Sequence, residues 1–155
     1  MAFLTSLNII GSGMTAQQVR LDVISENVTN INTTRTENGG PYRRKIVRLQ
    51  AEGNKNTFRS ALTRAALRGS AISNRKVRTS GGVRVAEIAE DESENPIVYD
   101  PTHPDANENG YLEMPNVTLV KEVTDAMAAS QAYNADVTIF NTFKQVISKS
   151  MEIGV

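Results

Sequence analysis

The chain has 155 residues, with 17 basic and 17 acidic side chains, one His, and neither Cys nor Trp. That length is one domain's worth, and the balanced charge sets up no overall field to draw in nucleic acid or a membrane surface. Without Cys there is no disulfide framework and no thiol chemistry.

The first predicted element is a helix over residues 1–32. Phe3, Leu7, Ile10, Met14, Gln17, Leu21, Ile24, Val28 and Ile31 follow one another at alternating steps of four and three, and only Gln17 is polar. Such spacing gathers the side chains on one face and suits coiled-coil packing, with a polar Gln17 tolerable as a register-setting position. Gly11 and Gly13 each cost about 1 kcal/mol relative to Ala inside a helix. Either a close backbone approach or a weak turn accounts for them. Only Arg20, Asp22 and Glu26 are charged along the flanks, so salt bridges do not select the partner. Residues 1–10 lack a basic stretch, and Asn8, Ser12, Gln17 and Gln18 interrupt the apolar run, so no secretory signal is expected. No apolar run approaches the roughly 18 residues that a membrane-spanning helix needs.

From residue 33 to 115 the character changes. Thr33 to Tyr42 is turn-rich, with Asn38, Gly39, Gly40 and Pro41 in succession. Short strands are expected over Tyr42–Leu49, around Val83, Val85 and Ile88, at Ile97–Tyr99 and at Tyr111–Leu112, and Pro96, Pro101, Pro104 and Pro115 confine them to short or edge positions. Charge is segregated: Gly53 to Ala86 holds eight Lys or Arg and no acid, whereas Glu87 to Glu113 holds nine acids and no Lys or Arg. The basic half fits a nucleic-acid patch or mutual neutralisation of the two halves, within or between subunits. No aromatic platform or recognition motif accompanies it.

The longest helix is expected over residues 116–155. Val120, Val123, Met127, Tyr133, Val137, Phe140, Phe143, Ile147 and Met151 form its stripe, with Ser130 filling the one gap. Asn116 after Pro115 reads as its N-cap. At 1.5 Å per residue this helix is roughly 50–55 Å long, more than a small domain needs. The fold class predicted is mainly α with a small β-rich middle. The two terminal helices pair as a coiled coil, and a core too thin for the chain length points to burial between subunits.

Two motif-like features fall in the loops. Asp100, His103 and Asp105 cluster in Asp-Pro-Thr-His-Pro-Asp, but Pro101 and Pro104 splay successive side chains, so a structural turn is favoured over a metal-dependent site. Asp105 to Gly110 matches the first half of a calcium-binding loop, yet the twelfth position is Asn116 rather than Glu, and a polar turn accounts for it better. No catalytic triad, Walker loop or dinucleotide fingerprint is present. The residues point to neither an enzyme nor a cofactor or metal.

Leu21 to Asn32, with Ser25, Asn27 and Asn30, resembles the Asn-Xaa-Xaa-Asn signature near the N-terminus of flagellar axial (rod and hook) proteins. Tyr42 and Arg43 with the following basic residues, the block around Asp100, Pro101, Pro104 and Asp105, then Gly110, Tyr111, Pro115 and Asn116, and Ser130-Gln131-Ala132-Tyr133, resemble the proximal-rod branch of that family. Residues 54–78 match poorly and look like a basic insertion of variable length. The resemblance implies a structural subunit of the basal-body rod, a helical tube that carries motor torque across the cell-wall and periplasmic space. It implies partners that are copies of the chain and other rod proteins, export uncleaved through the flagellar type III apparatus, and terminal helices packed as a coiled coil. The seam then comprises Leu7, Ile10, Met14, Leu21, Ile24, Val28 and Ile31 with Val120, Val123, Met127, Tyr133, Val137, Phe140 and Ile147, ordered by assembly. The rival is a coiled-coil binding module that uses the basic insertion on nucleic acid or an acidic partner.

Overall fold

The computed structural model describes residues 2–37, 39–52 and 81–153. The insertion expected at 54–78 lies outside the described residues. Two long helices dominate: α1 (Ala2–Thr29) and α2 (Leu119–Ile153). Between them lie β1 (Lys45–Ala51) and β2 (Val83–Glu90), then β3 (Ile97–Tyr99) and β4 (Tyr111–Glu113). Each pair of strands forms its own two-stranded antiparallel sheet. The β1–β2 ladder carries an irregularity at Arg48/Leu49 and packs against α1.

The terminal helices pack on one another, and two contacts fix how. Asn27 donates to Glu122 near one end. At the other, a Cβ added to Gly13 would lie 2.8 Å from Asp136 Oδ2. The interval from Gly13 to Asn27 equals that from Glu122 to Asp136, in the opposite order, so the helices run antiparallel in constant register. At Gly13 the neighbour is the end of the Asp136 side chain rather than a backbone, a Cβ on Gly11 would meet nothing within 4 Å, and the helix continues through both without a turn. The same register sets Ala2 level with Ile147, so roughly the last turn and a half of α2 runs past the start of described α1.

The seam on α1 lies close to the predicted stripe. Ile24 is buried, and Leu7, Ile10, Met14, Leu21, Val28 and Ile31 are half-buried; Ala16 and Val23 are buried beside them. On α2 the stripe changes face. Tyr133, Val137 and Ile147 are half-buried, but Val120, Val123 and Met127 are 76%, 47% and 60% exposed, and Phe140 is 37% exposed. Glu122, Ala126 and Ala129 occupy the buried or half-buried side in their place. At 3.6 residues per turn, Val120, Val123 and Met127 lie roughly 100–160° around the helix from Glu122. Two successive steps of three, from Met127 to Ser130 to Tyr133, turn the stripe about 120° around the helix, from the outer face to the inner one. The first turns of α2 therefore pair through small residues and one carboxylate, not through the predicted apolar positions.

The apolar core is thin: Ala16, Val23, Ile24, Tyr42, Leu112 and Ala129 are its buried members among the described residues. Three polar side chains, Asn27, Arg44 and Glu122, are buried with them.

Candidate functional site: the joint between the terminal helices

The buried polar residues meet where the end of α1, the start of β1 and the first turn of α2 converge. Asn27 fills every hydrogen-bonding position of its amide. Its Nδ2 donates to Lys45 O (2.9 Å) and Glu122 Oε2 (3.1 Å). Its Oδ1 accepts from Tyr42 OH and Lys45 N, both at 2.9 Å. A buried amide satisfied on all four positions fixes one arrangement of its neighbours, because any shift leaves a costly unpaired group.

Arg44 is the counterpart. Its Nε donates to Glu122 Oε1 at 2.6 Å, its Nη2 reaches Asp125 Oδ2 at 3.2 Å, and its Nη1 lies 3.7 Å from Asp91 Oδ2. Glu122 has no exposed surface, and its two oxygens are shared between Arg44 and Asn27. It also stands in the first turn of α2, where the helix dipole favours a negative charge. Alone, either buried charge would cost several kcal/mol; paired and hydrogen-bonded, they hold the helix ends in one geometry.

The backbone around Arg44 is tied as tightly. Asn116 Oδ1 accepts from Arg44 N at 2.7 Å, and Asn116 Nδ2 donates to Asp91 O and Ser93 Oγ. Asn116 is therefore not the N-cap of α2: the helix starts at Leu119, and Glu122 N donates to Thr118 O. The amide is drawn away because the Arg44 N–H and the 91–93 loop compete for it. Burial pushes the Tyr42 hydroxyl up to about 12, helped by the nearby Glu26, Glu122 and Glu90 charges. The Ser93 N–H and then the Ser93 hydroxyl hold the Asp91 carboxyl below the usual range, with Arg44 assisting. Lys45 pairs with Glu26 and lies over the Tyr42 ring, 5.9 Å from its centroid.

The remaining motif residues are distributed differently. Asn30 closes the end of α1, donating to Glu26 O and accepting from Thr33 Oγ1, while Ser25 and Arg43 are exposed. Asp100 Oδ1 accepts from Thr102 N and Oγ1, which lowers its pKa. His103 Nδ1 accepts from Asp105 N, and Asp105 Oδ2 accepts from Thr34 Oγ1 beyond α1. Asn107 Oδ1, at the second ligand position of the calcium-loop pattern, accepts from Asn109 N and Tyr111 N. These groups build turns between Pro101 and Pro115, which is buried. Gly110 has φ +78°, and a Cβ there would lie 2.9 Å from Tyr99 Cε2. Sequence reasoning missed Arg44 and Glu122; their partners stand 78 residues apart and no local pattern joins them.

This joint couples both chain ends and contains no nucleophile–base pair. Residues 7–35 match the family model described as flagella basal body rod protein, and residues 108–153 match flagellar basal body rod FlgEFG protein C-terminal. The chain is thus built from the terminal segments of flagellar rod proteins. It is 44% identical to the flagellar basal-body rod protein FlgC of Bacillus subtilis strain 168, over 96% of each chain. Identity to the proteins of that name is 38% in Borreliella burgdorferi, covering 99% of this chain and 98% of the relative, and 35% in Escherichia coli O6:H1, covering 99% of each. The chain belongs to the FlgC family of flagellar basal-body rod proteins.

Proposed function

We propose that the chain is a structural subunit of the bacterial flagellar basal-body rod. It assembles with copies of itself and with other rod proteins through its terminal helices, into the helical tube that carries motor torque. The observation that carries this reading is the contrast on α2. One side is locked to α1 and β1 by a buried ionic joint, and the other presents Val120, Val123 and Met127 to solvent. An apolar stripe of this kind on a family of assembling proteins fits a subunit contact. Heterologous contacts of a repeating unit generate a helical array rather than a closed dimer. Coiled-coil packing of the helices in the assembled rod, passage through the flagellar export apparatus and a position across the periplasmic space belong to the same reading.

The relatives named above are rod proteins rather than enzymes or nucleic-acid modules, and they lend the rival reading no support. Among the described residues, no helix is long and apolar enough to cross a membrane. Replacing Val120, Val123 and Met127 together by Glu tests the proposal. The variant chain is expected to fold as the parent does and to leave cells non-motile, with the protein absent from isolated basal bodies. Normal swimming with the triple variant incorporated would contradict it.

A further inference from the structure

The connection that closes the β3–β4 ribbon places an Asn directly before a Gly, at Asn109 and Gly110. Such a pair has chemistry of its own. A five-membered ring closes when the Gly110 peptide nitrogen bonds to Asn109 Cγ, and a residue without a Cβ leaves that nitrogen open to approach. In a flexible chain the nitrogen passes its proton to solvent base and attacks Cγ. The Cγ–Nδ2 bond breaks, and Nδ2 leaves as ammonia. Water then opens the resulting succinimide at either carbonyl, giving aspartate or isoaspartate. One water is consumed and one ammonia released, with no other reactant.

The folded turn holds every part of this reaction away from its geometry. Gly110 N donates to Asn107 O at 2.8 Å, closing a four-residue turn with Glu108 and Asn109 at its centre. Neither central residue has a positive φ, which leaves the type I form, whose third residue has ψ near 0°. At that angle the Gly110 nitrogen eclipses the nitrogen of Asn109 and stands a third of a turn from Cβ. Ring closure needs it nearly eclipsed with Cβ instead. Gly110 is also fixed in place: it is buried, its carbonyl accepts from Asp100 N at 2.9 Å, and a Cβ on it would meet Tyr99 Cε2 at 2.9 Å and Pro101 Cβ at 3.2 Å. The Asn107 side chain clamps both flanks of the pair, its Oδ1 accepting from Asn109 N at 3.0 Å and Tyr111 N at 2.9 Å. The reactive amide itself belongs to an exposed residue, so backbone geometry rather than burial of Asn109 keeps it intact.

We propose that Asn109–Gly110 is a deamidation site that folding closes, with the Asn107 side chain as the clamp. Time spent unfolded is then written into the chain as a new negative charge at position 109. Where the product is isoaspartate, an added main-chain carbon prevents Gly110 from returning to its place under Tyr99, and the turn stays open. The test incubates the full-length chain at neutral pH, in native buffer and in denaturant, and follows residue 109 by peptide mass mapping, which separates it from the Asn38–Gly39 pair. Loss of Asn109 is expected to be at least about tenfold slower in native buffer, because only the opened turn reacts. In native buffer Asn107→Ala should react several-fold faster than the parent, Asn107→Asp, which keeps the accepting oxygen, should stay near the parent rate, and in denaturant all three should agree. Equal rates for the parent in both conditions, or an intact Asn109 in denaturant, would overturn the site. An Asn107→Ala chain as slow as the parent in native buffer would overturn the clamp.

Discussion

The two ends of α2 follow opposite rules. At its start a carboxylate is fully buried, and the large apolar side chains Val120, Val123 and Met127 face water. In its second half, Tyr133, Val137, Phe143 and Ile147 turn partly inward while Ile139, Val146 and Met151 stay exposed, with the last turn and a half running past the start of described α1. The inner side of the first region is completed within the chain by Arg44, Asn27 and Asn116; its outer side and the second region offer apolar surface that no described residue covers. A single subunit thus fixes the angle of its helices at one place and leaves the rest of the surface for assembly. Specificity here comes from polar satisfaction, because the apolar core is too thin to impose it alone.

The joint is where substitution should cost most. Arg44→Met leaves Glu122 buried with only the Asn27 amide as donor, and a loss of about 3–5 kcal/mol is expected, read as a lower midpoint in denaturant. Retention of the parent midpoint would show that the joint does not set the geometry. Asn27→Ala removes four hydrogen bonds and strands the Tyr42 hydroxyl and Glu122 Oε2, at a cost of about 2–3 kcal/mol by the same measurement. Gly110→Ala should cost about 1–3 kcal/mol, since φ +78° is strained for Ala and its Cβ meets the Tyr99 ring. Its effect stays local to the ribbon.

Smaller effects sharpen the contrast. Tyr42→Phe deletes one bond to an amide oxygen that keeps another, a loss of about 1 kcal/mol at neutral pH. Because burial raises the Tyr42 pKa from 10.0 to about 12, the folded chain holds this proton more tightly than the unfolded one. The resulting stability is complete below about pH 10 and is lost as pH rises towards 12, so melts across that window should fall more steeply for the parent than for Tyr42→Phe. Least disturbed of all is the monomer carrying Val123→Glu, expected within about 0.5 kcal/mol of the parent because the site is open to solvent.

Much of this was legible in the sequence. Period-four-and-three spacing located both helices to within a few residues, and each strand lies where apolar pairs stood between Gly and Pro. The Asp100–Gly110 turns followed from Pro, Asn and Gly alone. What stayed hidden was long-range and polar. Spacing arguments assign a Glu to the solvent side, so Glu122 concealed the true inner face of α2, and only its distant pairing with Arg44 turns that face inward. The gap at Ser130 marked the place where the stripe crosses from one face to the other, but its meaning depends on the partner helix. Asn116 had the chemistry of a cap and was taken by the Arg44 backbone instead.

The most direct test of this division is hydrogen exchange along α2, in the purified chain and in isolated basal bodies. Slow exchange over residues 119–129 in the free chain, fast exchange beyond residue 139, and protection of that second stretch only after assembly is the predicted result. Equal protection along the whole of α2 in the free chain, or fast exchange at the joint, would contradict it.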